Sequence, residues 1–294
     1  MKKITVVLSF LLIVASLFSQ SILWKVTGKK IKSPCYLYGT IHIQDKKVFA
    51  FDQTVTTAFD ECDAFAMEIL MDDIDPNEIK TAMFMEKKTI KEFLTDEQYN
   101  ILDSIVKEKT GTGMFMYNKM KPFFLSSQLM QMGLKQDMEM PLDLYFLDKA
   151  RKAGKSCYGV EKFMNQINAI DAISIQDQVD MLYEGLTDTS SVNSDVQFEE
   201  LVQAYLNFDM IKLFDVSNDT ALPKEFNKAF LVDRNIGMAK NFIKIAKKES
   251  LFCAVGAAHL PGEKGVIELL RKKGYAVEPI PFTWKIEVEE IQEK

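Results

Sequence analysis

The chain has 294 residues, 47% of them hydrophobic, and its 42 acidic and 36 basic residues give a net charge of −6 and a pI of about 5.2. That length suits one large domain or two modest ones, and the acidic balance lacks the basic footprint of a nucleic-acid-binding protein. With a mean hydropathy of −0.06, the body of the chain reads as soluble.

The first twenty residues differ from the rest. Lys2 and Lys3 precede an apolar stretch from Ile4 to Phe18, followed by small and polar residues. This is the pattern of a secretory signal peptide, and the apolar stretch is short for a membrane span. The division expected is a leader at 1–20 and one domain at 21–294, exported to the periplasm or outside the cell, with no stable membrane insertion after cleavage. An uncleaved anchor is the alternative. Removal of the two lysines takes the net charge from −6 to about −8.

Six short runs then read as strands: 21–28, 35–42, 64–70, 155–161, 251–259 and 275–282. Several are continuous apolar runs bounded by turn residues, as in central strands buried on both faces. Helical patterns lie between them. Thr95 and Gln98 form a capping box ahead of a face made by Tyr99, Leu102, Ile105 and Val106. The stretch 162–248 is mostly helical in period, broken near 187–195 and at Pro223. A last helix is expected from about Pro261 to Gly274, with Val266, Leu269 and Leu270 inward. The fold class is α/β: a mixed central sheet from strands near both chain ends, with long helical insertions forming a cap or second lobe.

Cys35, Cys62, Cys157 and Cys253 each lie near the start of a predicted strand. An even count in an exported chain permits two disulfides in three pairings, or four buried small residues. No CxxC spacing suggests a thiolate zinc site. Sixteen methionines, several within 114–140, serve either as gap-filling core or as a flexible apolar binding surface.

The chain holds two histidines, His42 in "YLYGTIH" and His259 in "FCAVGAAH". Each closes an apolar strand through Gly-x-x-His. Ligands collect at the carboxyl ends of strands in parallel or mixed sheets, so two neighbouring strands of this kind would bring both imidazoles to one cleft. Glu68 in "AFAMEIL" and Glu161 in "CYGVEKF" also end apolar strands, although Glu161 equally suits the start of a helix. A buried glutamate needs a partner. Arg234, on a helix face with Phe230, Gly237 and Met238, is placed either to reach such a carboxylate, to bind a substrate anion, or to extend to solvent.

In this order, "GTIH", "AMEI", "GVE", "DRN" and "GAAH" resemble the TraB/GumN family, which is related to the Tiki-type metalloproteases, and the resemblance covers roughly 22–282. It implies an α/β fold similar to erythromycin-esterase and ChaN-like proteins. It implies a divalent metal, with manganese or cobalt ahead of zinc, held by His42, His259 and Glu68. Glu68 would otherwise be the base, Glu161 an alternative ligand or general base, and Arg234 would orient an acid or stabilise an oxyanion. Two histidines and a carboxylate with an open position form a workable hydrolytic site, and the absence of a Cys ligand suits a harder metal. Three readings remain open: an exported metal-dependent peptidase on a peptide or small-molecule substrate, a metal-free esterase-like hydrolase, and a non-enzymatic peptide- or metal-binding protein.

Overall fold

All six apolar runs become strands of one sheet in the computed structural model, in which residues 21–31, 33–187, 193–217 and 228–285 are described. The leader at 1–20 and the break expected at Pro223 lie outside the described residues. The strands are β1 (Leu23–Gly28), β2 (Cys35–Thr40), β3 (Ala64–Met67), β4 (Ser156–Gly159), β5 (Leu251–Gly256) and β6 (Tyr275–Pro279), in the order β4-β3-β5-β2-β1-β6. The first four in that order run parallel, with registers Met67↔Gly159, Ala66↔Cys253 and Thr40↔Gly256, and β1 pairs antiparallel with both β2 and β6. β2, β3 and β5 are buried along almost their whole length, as their unbroken apolar sequences require.

The described helices are α1 (Gln53–Asp60), α2 (Pro76–Met83), α3 (Asp96–Thr110), α4 (Pro122–Met132), α5 (Leu142–Lys152), α6 (Phe163–Ile170), α7 (Ile175–Thr187), α8 (Asn193–Leu206), α9 (Met210–Ser217), α10 (Arg234–Ala246) and α11 (Val266–Lys272). A π-turn, Lys228–Asp233, leads into α10. Strand alternation sorts the core onto two faces. Tyr36, Tyr38, Phe65 and Phe252 meet Phe59 of α1 and Phe146 of α5, whereas Leu37, Ala66, Cys253 and Val255 meet Met238 and Phe242 of α10 and Leu270 of α11. The aromatic side is closely stacked, with Phe146 centred 5.2 Å from Phe252 and 5.4 Å from Phe59.

The helical insertion forms a second lobe with a core of its own, in which Leu102 and Val106 of α3, Leu125 and Leu129 of α4, and Val179 and Leu182 of α7 pack around Met114. The Thr95–Gln98 capping box closes as expected, and Gly111, at φ 75°, ends α3 in the left-handed conformation that glycine favours. The methionines divide: Met85 and Met114 are core, while Met116, Met130 and Met132 stand exposed on the lobe.

One expectation changes, and the cysteines follow one of the two readings open to them. The last helix begins at Val266 rather than near Pro261, because Gly262 takes φ 85° and residues 261–265 fold into a turn. The four cysteines are free. Cys253 lies inside β5 rather than at its start, and burial pushes the Cys35 thiol up to about 11, the state of an inert core residue.

Candidate active site

The parallel strand ends set out the expected residues in spatial order. Glu161 follows β4, Glu68 follows β3, His259 follows β5 through a single 3₁₀ turn, and His42 follows β2. The two Gly-x-x-His segments therefore do leave neighbouring strands at the same end of the sheet. Gly256 has a second function. Its N–H donates to Glu68 Oε1 at 2.7 Å, and a Cβ there would stand 3.1 Å from that oxygen. Gly39 is needed for packing, since a Cβ there would come within 2.9 Å of the Leu260 side chain.

Arg234, the first residue of α10, reaches in from the covering helix and is buried. Its Nε donates to both oxygens of Glu161 at 2.9 and 3.0 Å, its Nη2 donates to Glu161 Oε2 at 2.9 Å and Glu68 Oε2 at 2.7 Å, and its Nη1 donates to the Phe230 carbonyl at 3.2 Å. Gln166 Nε2 also donates to Glu68 Oε2 at 3.2 Å. Burial pushes the Glu68 carboxyl up, but the charges of His259 and Arg234 and the Gly256 and Arg234 hydrogen bonds pull it further down, so it is ionised. For Glu161, burial raises the carboxyl above its ordinary value against the pull of Arg234. Both Glu161 oxygens are engaged by the guanidinium.

The two histidines share one device. His259 Nδ1 lies 2.7 Å from Asn235 Oδ1, and Asn235 Nδ2 donates to the Lys264 carbonyl at 3.0 Å, which orients the amide. His42 Nδ1 lies 2.8 Å from Asp143 Oδ1. In both rings the hydrogen-bond network assigns the proton to Nδ1 and leaves Nε2 as the available lone pair. Burial pushes His259 down to about 4, so it is neutral at ordinary pH. His42 is raised, first by the bond to Asp143, with burial opposing and the charges of Asp143 and Glu68 adding, and its side chain remains 56% exposed.

His259 Nε2 then faces Glu68 Oε1 at 3.7 Å. Two acceptors point at one another with no proton between them. In addition, the trio of buried Glu161 and Arg234 with partly buried Glu68 sets two carboxylates against one guanidinium, and the further basic group that faces it among the described residues is His259. An unbalanced buried charge is costly, and a cation beside Glu68 and His259 would relieve both features. A divalent metal therefore fits the chemistry of this donor pair. The count is incomplete, because no group of three or more His, Cys, Asp or Glu among the described residues stands assembled to hold a metal. Of the expected trio the structure joins Glu68 and His259, and it holds His42 toward Asp143.

Sequence reasoning missed Asn235, Asp143 and Gln166. Asn235 lay within the "DRN" segment, directly after Arg234, and Asp143 sits in the first turn of α5, where an acid is ordinary.

Three curated relatives resemble the chain at low identity. These are "Metalloprotease TIKI1" of Danio rerio (23% identical, 89% of this chain, 63% of the relative), "Metalloprotease TIKI2" of Xenopus tropicalis (24%, 89% and 60%) and "Metalloprotease TIKI homolog" of Amphimedon queenslandica (24%, 90% and 62%). The chain thus spans less than two thirds of the length of the curated relatives it matches. No solved structure matches it. The profile of the TraB/PrgY/gumN family matches residues 22–279, from the start of the sheet to its last strand, and the chain belongs to that family.

Proposed function

We propose that the protein is an exported metal-dependent hydrolase acting on peptides, with its site at the carboxyl ends of β4, β3, β5 and β2. The observation that carries this reading is His259 Nε2 facing Glu68 Oε1 at 3.7 Å while Asn235 holds the other ring nitrogen. Support comes from relatives that bear the name metalloprotease. No helix among the described residues is long and apolar enough to cross a membrane.

The residues divide the work as follows. His259 and Glu68 would hold the cation, and His42 would be the further imidazole donor. Asn235 and Asp143 fix the tautomers of the two rings, as oxygen partners commonly do for metal-bound histidines. Arg234 keeps Glu68 ionised and aimed, and Glu161 anchors Arg234. A bound divalent ion supplies Lewis acidity to a peptide carbonyl. Manganese or cobalt suits a set of two imidazoles and a carboxylate without thiolates. Burial keeps His259 neutral, the form in which an imidazole binds a metal.

The test is metal content and peptide cleavage of the purified protein after refilling with manganese, cobalt or zinc, beside His42→Ala, His259→Ala and Asn235→Ala. Near-stoichiometric metal is expected in the wild type, absent in both histidine variants and about 10–100-fold weaker in Asn235→Ala. A wild type that takes up none of the three metals sinks the proposal.

A further inference from the structure

β4 is the outer strand of the sheet, and among the described strands it pairs only with β3. Ser156 N–H donates to Asp63 O and Val160 N–H to Met67 O, so Tyr158 also addresses β3. By the two-residue alternation of a strand, Cys157 and Gly159 point their N–H and C=O groups outward. Outer strands of this kind are usually blunted by charge, proline or a covering element. β4 carries none of the first two, and in place of the third it borders a cleft of about 720 Å³.

The walls of that cleft are of two kinds. Leu70, Ile74, Phe163 and Ile245 give apolar surface. Lys162, from the segment after β4, and Lys244 and Lys248, from α10 and its C-terminal end, contribute exposed ammonium groups from opposite sides, and none of the three has an ion pair among the described residues. A helix dipole accounts for lysines near the end of α10; it does not account for Lys162. Against them stand Glu78 on the rim and Glu249, whose carboxylate accepts the Tyr158 hydroxyl at 2.8 Å. In a chain of net charge −6 this local cationic excess runs against the composition. The cleft also reaches Glu161, so the open edge leads toward the strand-end site.

We propose that this cleft takes an extended, acidic stretch of polypeptide, which adds to the free edge of β4 as a further strand. Strand addition supplies main-chain hydrogen bonds, and flanking pockets read alternate side chains. Here the apolar wall accepts one set and the three lysines accept the acidic other. The inference rests on the peptidase reading for its function, since it brings a substrate chain to the site beside Glu161; the binding itself does not depend on that reading.

The probe is a fluorescein-labelled peptide of alternating Glu and Val, titrated by anisotropy, with two controls: the Lys–Val counterpart and a Glu–Val peptide N-methylated on alternate residues. The Glu–Val peptide should bind about tenfold or more tighter than either control. The combined variant Lys162→Glu, Lys244→Glu, Lys248→Glu should lose that preference while keeping the wild-type thermal midpoint. No binding, or equal binding by the Lys–Val peptide, overturns the proposal. Binding that survives N-methylation overturns it too, and makes the cleft a simple polyanion site. Cleavage of both peptides, followed separately, keeps the two readings apart: binding without cleavage retains the groove and removes the peptidase, whereas cleavage with no charge preference does the reverse.

Discussion

Arg234 is the residue on which the site depends mechanically. One guanidinium satisfies Glu161 with Nε and Nη2 and Glu68 with Nη2, all from a buried position. Arg234→Met removes the cation and strands two carboxylates, so the expected loss is about 3–5 kcal/mol, measured as a fall in urea midpoint. A loss below about 1 kcal/mol would mean that the carboxylates find other partners. Asp52 makes a smaller point about pH. Burial raises its carboxyl, but hydrogen bonds from the Thr283 and Thr54 backbones and the Thr283 hydroxyl outweigh this and leave it below its ordinary 3.8. A carboxyl depressed in the folded state contributes stability above its unfolded value, and that stability is lost as pH falls through the folded one. Asp52→Asn should therefore lose that increment at neutral pH, differ least from the wild type in acid, and so show a flatter acid limb of stability below pH 3.8; an unchanged acid limb would show that the staple carries no charge-dependent stability. At this scale the sequence was informative wherever a polar residue broke an apolar run. His42, His259, Glu68 and Glu161 stood out because each closes a largely apolar run. Asn235 and Asp143 did not, because each starts a helix, where a polar side chain needs no special reason.

The strands were legible because burial on both faces demands unbroken apolar sequence, and β2, β3 and β5 comply at almost every position. Their order was not. Periodicity reports which residues are covered, not which strand covers them, so the placing of β5 between β3 and β2 came only with the fold. The start of α11 was misplaced for a local reason: proline suits a first helical turn, but Gly262 at φ 85° diverts the chain before the helix can begin. The insertion behaves as an element of its own. The cluster around Leu102, Val106 and Leu182 is separate from the two clusters that flank the sheet. Leu102, fully buried there, should cost about 2–5 kcal/mol when changed to Ala. Hydrogen exchange should show faster opening in α3, α4 and α7, with metal uptake at the strand ends unaltered. Equal acceleration throughout β5 would mean that lobe and sheet unfold as one unit.

Across the whole molecule, the residues of the proposed site gather where four parallel strands end, and charge is distributed against the average. An acidic chain sets two carboxylates against one guanidinium inside, beside His259, and a cluster of lysines outside, beside β4. The sheet order carries one more consequence, for a chain still being made. β5 begins at Leu251 and lies between β3 and β2, which come before residue 68. Until the ribosome has delivered those last strands, β2 and β3 have no shared neighbour, Glu68 has neither the Gly256 amide nor Arg234, and His259 does not yet exist. A nascent polypeptide is thus without the proposed centre until β5 has been made, and it gains that centre only in the step that closes the sheet.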